Sequence, residues 1–332
     1  MSRTSCVVIG SNCFTGSHLV DALLQDPAND VVGISRSPEQ RALYLPYQDG
    51  RDLNRWAFYR LDLVRQAEAV QTLLDELQPA TVINVAALSE VALSNTSPVE
   101  YFDTNAVGVV RLCNFLRTRR YLKRYVHISS AEVYGSCSRP VTETEPVRPS
   151  TPYAVSKAAA DLYIATLVNN FGFPAITIRS TNVYGKHQQL FKIIPRTIIS
   201  IRQGRRVPLH GGGTAIKSFV HIRDVVHGAL TAMQRGTPGA VYHFSTDDDR
   251  TIAEVVRTVA RLMDRAFEDV AEPVEERLGQ DARYWLDCSA AQRELRWHPQ
   301  VDFEEGVRET IAWVEEHWDD VLRESLEYVH HV

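Results

Sequence analysis

Tyr153 and Lys157 are the pair whose residue types and spacing most directly suggest catalysis. They lie four residues apart in TPYAVSKAAAD (151–161), where Pro152 marks a helix start, so phenol and ammonium share one helix face. A neighbouring ammonium favours phenolate over phenol and lowers the pKa of the tyrosine. Such a pair can take a proton from an alcohol as hydride leaves the alcohol's carbon. Because the spacing is common by chance, this interpretation depends on the surrounding segments.

The segment ISSAEVYGS (128–136) follows an apolar run that ends in Ser129 and Ser130. A serine in this place can simply terminate a strand. We favour the alternative that Ser130 hydrogen-bonds a substrate hydroxyl, which places it in one catalytic set with Tyr153 and Lys157.

The loop GSNCFTGSHL (10–19) has the outline of a phosphate-binding turn. Gly10 and Gly16 stand at the first and last glycines of a G-x-x-G-x-x-G pattern, and Cys13 takes the middle place. A strand before the loop and a helix after it would direct backbone N–H groups and the positive helix end at a pyrophosphate. We therefore predict a dinucleotide cofactor rather than a structural turn, with Cys13 tolerated if its φ is negative. The predicted contacts are Gly10, Asn12, Cys13, Phe14, Thr15 and Gly16.

The end of the second apolar run, at Ser35 and Arg36, is where the adenosine ribose would lie. A carboxylate there would favour NAD, whereas a hydroxyl followed by a guanidinium suits the 2′-phosphate of NADP. We predict NADP, with NAD as the alternative; an uninvolved surface Arg36 is the other interpretation. Lys157 would also hydrogen-bond the nicotinamide ribose. The remaining predicted cofactor contacts are Asp62, Leu63, Ala86 and Ala87.

The elements that must position these residues follow from alternating short β-branched runs and longer helical stretches. The runs are 6–10, 31–35, 81–85, 125–129 and 175–179, and the helical stretches are 15–25, 65–77, 99–119 and 152–170. This alternation predicts an α/β fold built on a doubly wound parallel sheet. After residue 180 the rhythm changes, which predicts a smaller, interleaved C-terminal α/β domain. We place the domains at 1–180 and 181–332, with 218–245 returning to the first.

Composition and charge narrow the function classes. The chain has 332 residues, 44% of them apolar, and a net charge of −5 without a dense basic stripe, which argues against nucleic acid as a partner. Five scattered cysteines without a C-x-x-C pair predict reduced thiols in a cytoplasmic protein. No apolar run approaches the roughly 20 residues of a membrane span. The histidines show no i,i+4 pairing, so we predict no metal site: His127, His210, His221 and His243.

With these segments together, the chain resembles the extended short-chain dehydrogenase/reductase superfamily from residue 6 to about 315. Within it, the nucleotide-hexose 4,6-dehydratases are most similar, through EVYGS, PSTPYAVSKAAAD, NVYG followed by FKIIPR, and ERLGQDARYWLD. The resemblance implies a Rossmann domain, a tightly bound and recycled cofactor, a nucleotide-diphosphate hexose substrate, and a homodimer formed through a helix bundle. It implies these substrate contacts: Ser89, Ser130, Ala131, Asn182, Lys192, Lys217, and Arg277 or Arg283.

Glu132 is the residue that the resemblance makes most informative. A carboxylate at this position in the dehydratases removes the C5 proton after oxidation at C4 and helps water leave from C6; hydride then returns to C6. Ala131 departs from the deoxythymidine-diphosphate-glucose branch, which has an aspartate acid there. The guanosine-diphosphate-mannose branch has a hydroxyl residue and generally uses NADP. We therefore predict a 4,6-dehydratase in which Glu132 moves both protons. The alternatives are a 4-epimerase or 4-keto reductase, and a catalytically silent NADP-binding sensor or scaffold.

Overall fold

The computed structural model describes residues 4–275 and 283–328. Its strands are β1 (Thr4–Ile9), β2 (Asn29–Ser35), β3 (Trp56–Arg60), β4 (Thr81–Asn84), β5 (Arg124–Ile128), β6 (Ala175–Ser180), β7 (Asn182–Tyr184), β8 (Val207–His210), β9 (Ile216–His221), β10 (Val241–Phe244), β11 (Asp249–Thr251) and β12 (Ala271–Val274). Its α-helices are α1 (Phe14–Gln25), α2 (Ala67–Leu77), α3 (Val91–Ser94), α4 (Pro98–Phe102), α5 (Gly108–Leu116), α6 (Pro152–Phe171), α7 (Ile193–Arg202), α8 (Ile222–Arg235), α9 (Ile252–Leu262), α10 (Phe267–Val270), α11 (Phe303–Glu316) and α12 (Trp318–Val321).

Seven strands form the main sheet, in the order β10-β6-β5-β4-β1-β2-β3, and every neighbouring pair is parallel. The strand order reverses between β1 and β4, so the loops that follow these two strands diverge and leave a crevice at the carboxyl edge of the sheet. The prediction of a doubly wound parallel sheet is confirmed.

The alternation of side chains along β1 shows why helices cover both faces of this sheet. Val7 and Ile9 lie in one hydrophobic cluster with residues of α2, α5 and α6, whereas Cys6 and Val8 lie in another with residues of α1 and α8. All four side chains are buried. A strand that is apolar on both faces needs such cover, which explains the continuous apolar runs in the sequence.

The strand β3 was not among the five predicted runs. Its sequence, WAFYR, is aromatic and charged, and it lies at the edge of the sheet with Tyr59 and Arg60 exposed. An edge strand keeps one side in water and so lacks the continuous apolar pattern of the central strands.

Beyond β6, the described residues form two small sheets, of order β11-β9-β7 and β12-β8, which pack with α7, α9 and α11 around a third hydrophobic cluster. The chain returns to the main sheet at β10, which pairs with β6. Residues from both parts therefore meet above the carboxyl edge of the main sheet.

Candidate active site

The loop after β1 has the backbone geometry of a phosphate cradle. Gly10 has a φ of +90°, and a Cβ there would lie 2.6 Å from the backbone nitrogen of Ala86. A Cβ on Gly16 would lie 2.2 Å from the carbonyl oxygen of Gly10. Both glycines are therefore required by the close approach of backbone to backbone, and they place the N-terminal end of α1 at the crevice.

Cys13 is the N-cap of α1. Its φ is −80°, which meets the condition set on the sequence, and its Sγ accepts the backbone N–H of Gly16 at 3.3 Å. Burial raises the pKa of the Cys13 thiol to about 11, so the side chain carries no negative charge that would repel a pyrophosphate. The residues of this loop fit the dinucleotide that the sequence predicted.

Helix α6 carries Tyr153 and Lys157 into the same crevice. The helix begins where the Thr151 hydroxyl accepts the backbone N–H of Ala154, with Pro152 in the first turn. Lys157 is 2% exposed, and its Nζ donates to the carbonyl oxygen of Ile128 at 2.7 Å. The ammonium is thus fixed against the end of β5.

Ser130 joins the phenol of Tyr153 to the turn that carries Glu132. It has extended backbone at the start of a 3-10 turn, Ala131–Tyr134, and its hydroxyl accepts the Glu132 backbone N–H at 3.2 Å. The same side chain hydrogen-bonds Tyr153. Ala131 has no acidic group, and its side chain is buried among apolar residues.

The electrostatics of this site differ from the sequence prediction at Tyr153. Burial raises the pKa of the phenol, the charge of Glu132 raises it further, and the hydrogen bond from Ser130 opposes both. The prediction of a lowered tyrosine pKa is therefore wrong in net direction, because a sequence does not show how completely the phenol is desolvated. Burial also lowers the pKa of Lys157 to about 8, against the opposing influence of Asp161 and Cys13.

A cavity of about 510 Å³ opens above these groups. Most predicted site residues line it: Cys13, Phe14, Thr15, Ala87, Ser89, Ser130, Ala131, Glu132, Tyr153, Lys157, Asn182, Lys192 and Lys217. Lys192 forms an ion pair with Glu90 across the mouth of the cavity, and Lys217 lies over the ring of Tyr284 at 4.3 Å. The sequence-predicted residues from α6, β7, α7 and β9 thus converge on one space.

The two arginines predicted to bind substrate have different outcomes. Arg283 forms an ion pair with Asp249 and stacks on Trp285, and it is not among the described residues that line the cavity. Its role in substrate binding stays a prediction. Arg277 lies outside the described residues.

Arg196 lines the cavity and was missed by the sequence analysis. It lies one turn after Lys192, which is the N-cap residue of α7, so both cations and the positive end of a ten-residue helix face the same space. The spacing Lys-x-x-x-Arg at the start of an amphipathic stretch was the signal that could have indicated it.

The loops after β2 and β3 form the end of the crevice at which the sequence predicts the adenosine. The Ser35 hydroxyl accepts the backbone N–H of Asn12 at 3.1 Å, which ties this strand end to the cradle. Arg60 donates from Nε to the carbonyl oxygen of Arg36. The Asp62 carboxylate accepts the backbone N–H groups of Val64 and Arg65. Leu63 is buried, and Ala86 follows β4 beside Gly10.

With this geometry established, similarity to known proteins decides the family. The model of the family described as GDP-mannose 4,6 dehydratase matches residues 7–310. The chain belongs to the GDP-mannose 4,6 dehydratase family. The resemblance stated from the sequence is therefore confirmed.

Members and structural relatives of the GDP-mannose 4,6 dehydratase family cover nearly the whole chain. The dTDP-glucose 4,6-dehydratase of Haemophilus influenzae is 31% identical, covering 92% of this chain and 96% of its own. The solved dTDP-glucose 4,6-dehydratase DesIV of Streptomyces venezuelae, which holds NAD, has a TM-score of 0.87 at 29% identity, covering 95% and 98% of the two chains. The UDP-glucose 4-epimerase of Thermotoga maritima shares the fold, with a TM-score of 0.85 at 23% identity and 95% and 100% coverage.

Three further observations concern metal ligands, membrane-spanning helices and cysteines. Within the described residues, no group of His, Cys, Asp and Glu could hold a metal ion. Across the same ranges, no helix combines the length and apolarity needed to cross a bilayer. The five cysteines are free thiols.

Proposed function

We propose that this chain is an NAD(P)-dependent nucleotide-sugar 4,6-dehydratase. The observation that supports it most is that Ser130, Tyr153, Lys157 and Glu132 line one cavity beside a dinucleotide cradle. Ser130 and Tyr153 are hydrogen-bonded, and the charge of Glu132 acts on the phenol. Relatives that cover most of the chain at about 30% identity are named dTDP-glucose 4,6-dehydratases.

Tyr153 is the proposed acceptor of the proton from the C4 hydroxyl. A nicotinamide held at the cradle would supply the hydride acceptor for oxidation at C4 and the hydride donor for C6. The hydrogen bond of Ser130 favours the phenolate, whereas burial and the charge of Glu132 oppose it. The same hydrogen bond holds the phenol next to the turn that carries Glu132. In the proposed mechanism Tyr153 therefore acts at C4 and Glu132 at the neighbouring C5 of one sugar.

Glu132 is the proposed carrier of two successive protons. Once C4 is a carbonyl, the C5 proton is acidic and passes to the Glu132 carboxylate. The resulting carboxylic acid gives that proton to the C6 hydroxyl, which leaves as water. Because Ala131 supplies no second acid, the proton taken from C5 and the proton given to the leaving hydroxyl both pass through Glu132. When hydride is added at C6, C5 takes up one proton, which balances the proton that the C4 hydroxyl gave to Tyr153.

The diphosphate of the substrate is proposed to lie at the start of α7. Lys192, Arg196 and Lys217 line the cavity, and the Lys192 side chain does not cap the first-turn N–H groups of α7. Cationic side chains and a helix N-terminus are the features that bind phosphate groups. In this arrangement the diphosphate would compete with Glu90 for Lys192.

We keep NADP as the proposed cofactor and NAD as its alternative. Two guanidinium-bearing residues, Arg36 and Arg60, adjoin the end of β2. The nearby carboxylate of Glu39 is held by the Tyr47 hydroxyl and the Trp56 indole N–H. This arrangement supports a 2′-phosphate, whereas the NAD in the solved relative supports the alternative. Release of the nucleotide from denatured protein distinguishes them.

A homodimer through α4, α5 and α6 is part of the proposal. Val99 and Phe102 are exposed on α4, Val107 is exposed just before α5, and Val155 and Leu162 are exposed on α6. Apolar side chains clustered on adjoining helices are typical of an interface.

The division of the chain into two domains at residue 180 and its cytoplasmic location remain proposals. The free thiols are consistent with a reducing compartment.

The experiment that tests the function offers purified protein a panel of nucleotide-sugars without added cofactor and reads products by mass. Loss of one water supports the dehydratase. An isomer of unchanged mass would favour the 4-epimerase, an alternative supported by the missing acid at Ala131. A product formed only with an added reduced cofactor would favour the 4-keto reductase, and no turnover on any sugar would favour the silent sensor or scaffold.

A further inference from the structure

Asp161 lies behind the catalytic groups, one turn after Lys157 on α6, and it is 5% exposed. Its Oδ2 accepts two hydrogen bonds, one from the Ser129 hydroxyl and one from Nε of Arg179, both at 2.9 Å. A carboxylate this deeply buried is retained only where other groups compensate its charge. Arg179, on β6, is one such group.

Three residues of α6, at positions i, i+4 and i+8, hold three successive residues at the end of β5. Tyr153 hydrogen-bonds Ser130, Lys157 donates to the carbonyl of Ile128, and Asp161 accepts from Ser129. One helix face therefore fixes the whole segment that carries the catalytic serine. Asp161 is the member of this face to which no role has yet been given.

The charged groups around Lys157 show how the Asp161 carboxylate affects the protonation of its ammonium. The ammonium is buried, which disfavours its charged form, and Asp161 acts in the opposite direction. Of the other titratable groups, Cys13 from the loop before α1 is a thiol with a raised pKa, and His127 from β5 has its pKa held well below its ordinary value by burial and by the two nearby cations. Arg179 adds a further positive charge. Asp161 thus forms its direct ion pair with Arg179 and lies 3.7 Å from the Nε2 of His127, and from the same face of α6 its charge also acts on Lys157. Glu132 acts on the phenol.

We propose that Asp161 is a positioning residue for proton transfer: its carboxylate keeps Lys157 charged and holds the Ser129–Ser130 end of β5 against α6. The proposal rests on the function proposed above for Lys157 and Tyr153. It adds that the charge of Asp161, and not only its hydrogen bonds, is required.

The test measures the titration of Lys157 directly. The chain has five lysines, Lys123, Lys157, Lys186, Lys192 and Lys217, so NMR of protein labelled only at lysine gives few signals, and Lys157→Arg identifies the one of interest. The wild-type midpoint is expected near pH 8. In Asp161→Asn, which keeps the shape but removes the charge, it should fall by about one pH unit. An unchanged midpoint overturns the proposal.

Two further variants separate charge from structure. Ser129→Ala removes a hydrogen bond and leaves the carboxylate, so the Lys157 midpoint should stay; a fall equal to that of Asp161→Asn would overturn the proposal. Arg179→Gln removes the cation that competes for the carboxylate, so the midpoint should rise. If Asp161→Asn does not fold, an unchanged or lower midpoint in Arg179→Gln overturns the proposal by itself.

The pH profile of sugar oxidation distinguishes failure of this proposal from failure of the proposed function. If both hold, the alkaline limit of the rate moves to lower pH in Asp161→Asn together with the Lys157 midpoint. If the Lys157 midpoint moves and the pH profile of the rate does not, Asp161 does act on the charge of Lys157. In that case Lys157 has no role in catalysis. A rate profile that moves while the midpoint stays overturns the role of Asp161.

Discussion

The Ser130 hydroxyl accepts the backbone N–H of Glu132 at 3.2 Å, so the serine that hydrogen-bonds the catalytic phenol also fixes the turn carrying the carboxylate. This contact uses only the backbone of Glu132. Replacing the side chain therefore leaves this contact in place, which makes Glu132 suitable for a test of its chemistry.

Glu132→Gln should abolish water elimination while leaving oxidation at C4. The amide keeps the size of the side chain but cannot accept the C5 proton, and loss of a general acid–base group costs roughly 10²- to 10⁴-fold in rate. Single-turnover formation of reduced cofactor, alongside product mass, measures the two steps separately. The matched control is Glu268→Gln, an exposed carboxylate on α10. Water loss at the wild-type rate in Glu132→Gln would remove its assigned role.

Arg196→Gln should weaken substrate binding and leave the chemical step nearly unchanged. The guanidinium faces the diphosphate in ground state and transition state alike, so its loss raises KM by about 10-fold or more with little effect on kcat. Steady-state kinetics on the substrate found by the mass panel gives both values. Arg202→Gln, at the far end of α7 and paired with Glu315, is the control. A kcat that falls with an unchanged KM would contradict the diphosphate site.

Arg36→Gln should reduce affinity for NADP by about 10-fold or more and leave NAD binding almost unchanged. Only the 2′-phosphate contacts this guanidinium in the proposed mode, and a charge-assisted hydrogen bond to phosphate is worth about 1.5–3 kcal/mol. Fluorescence titration of cofactor-free protein measures both nucleotides. Equal loss for the two cofactors, or wild-type protein that retains only NAD, would reject NADP as the cofactor.

Leu162→Glu should convert the proposed dimer into a monomer. Leu162 is 58% exposed in one chain, and a carboxylate buried at an apolar interface without a partner is costly. Sedimentation or light scattering gives the mass at several concentrations. Leu322→Glu is the control, because Leu322 is also exposed but lies after α12, outside the proposed interface. A wild-type monomer at all concentrations would end the dimer proposal.

His221 should make the fold less stable as the pH falls below about 6.5. Burial lowers the pKa of its ring to about 3, with Arg223, His18 and Lys186 adding to the effect, so the folded chain holds it neutral. Below the ordinary pKa the unfolded chain binds the extra proton, and stability is lost by up to about 1.4 kcal/mol per pH unit down to the folded pKa.

His221→Asn separates this titration from the helix cap. The Nδ1 of His221 accepts the backbone N–H of Arg223 at the start of α8, and an asparagine can cap the helix in the same way without titrating. Urea unfolding at pH 7 and pH 5 should show a smaller difference in the variant than in the wild type. If the free energy of unfolding changes equally between pH 7 and pH 5 in both proteins, groups other than His221 cause the loss of stability at low pH.

The fold and the catalytic set could be predicted from the sequence because they depend on local patterns. The apolar runs predicted the central strands, and the spacing of Tyr153, Lys157 and Ser130 predicted groups that the structure does bring together. What the sequence could not show depends on three-dimensional surroundings. Arg283 is engaged by Asp249, which is distant in sequence, and the desolvation of Tyr153 reverses the expected direction of its pKa.

The unpredicted residues share a physical reason. Arg196 reaches the cavity because α7 points its N-terminal end there, and Asp161 matters because α6 lies against the end of β5. Both depend on how helices pack, which a single sequence does not specify at the level of one side chain.

The measurement that tests the central claim most directly uses a substrate carrying deuterium at C4 of the hexose. Purified protein without added cofactor should give a product lighter by one water that retains the deuterium, now at C6, because the hydride leaves and returns within one active site. An isomer of unchanged mass, or a dehydrated product that has lost the label to solvent, would contradict the account.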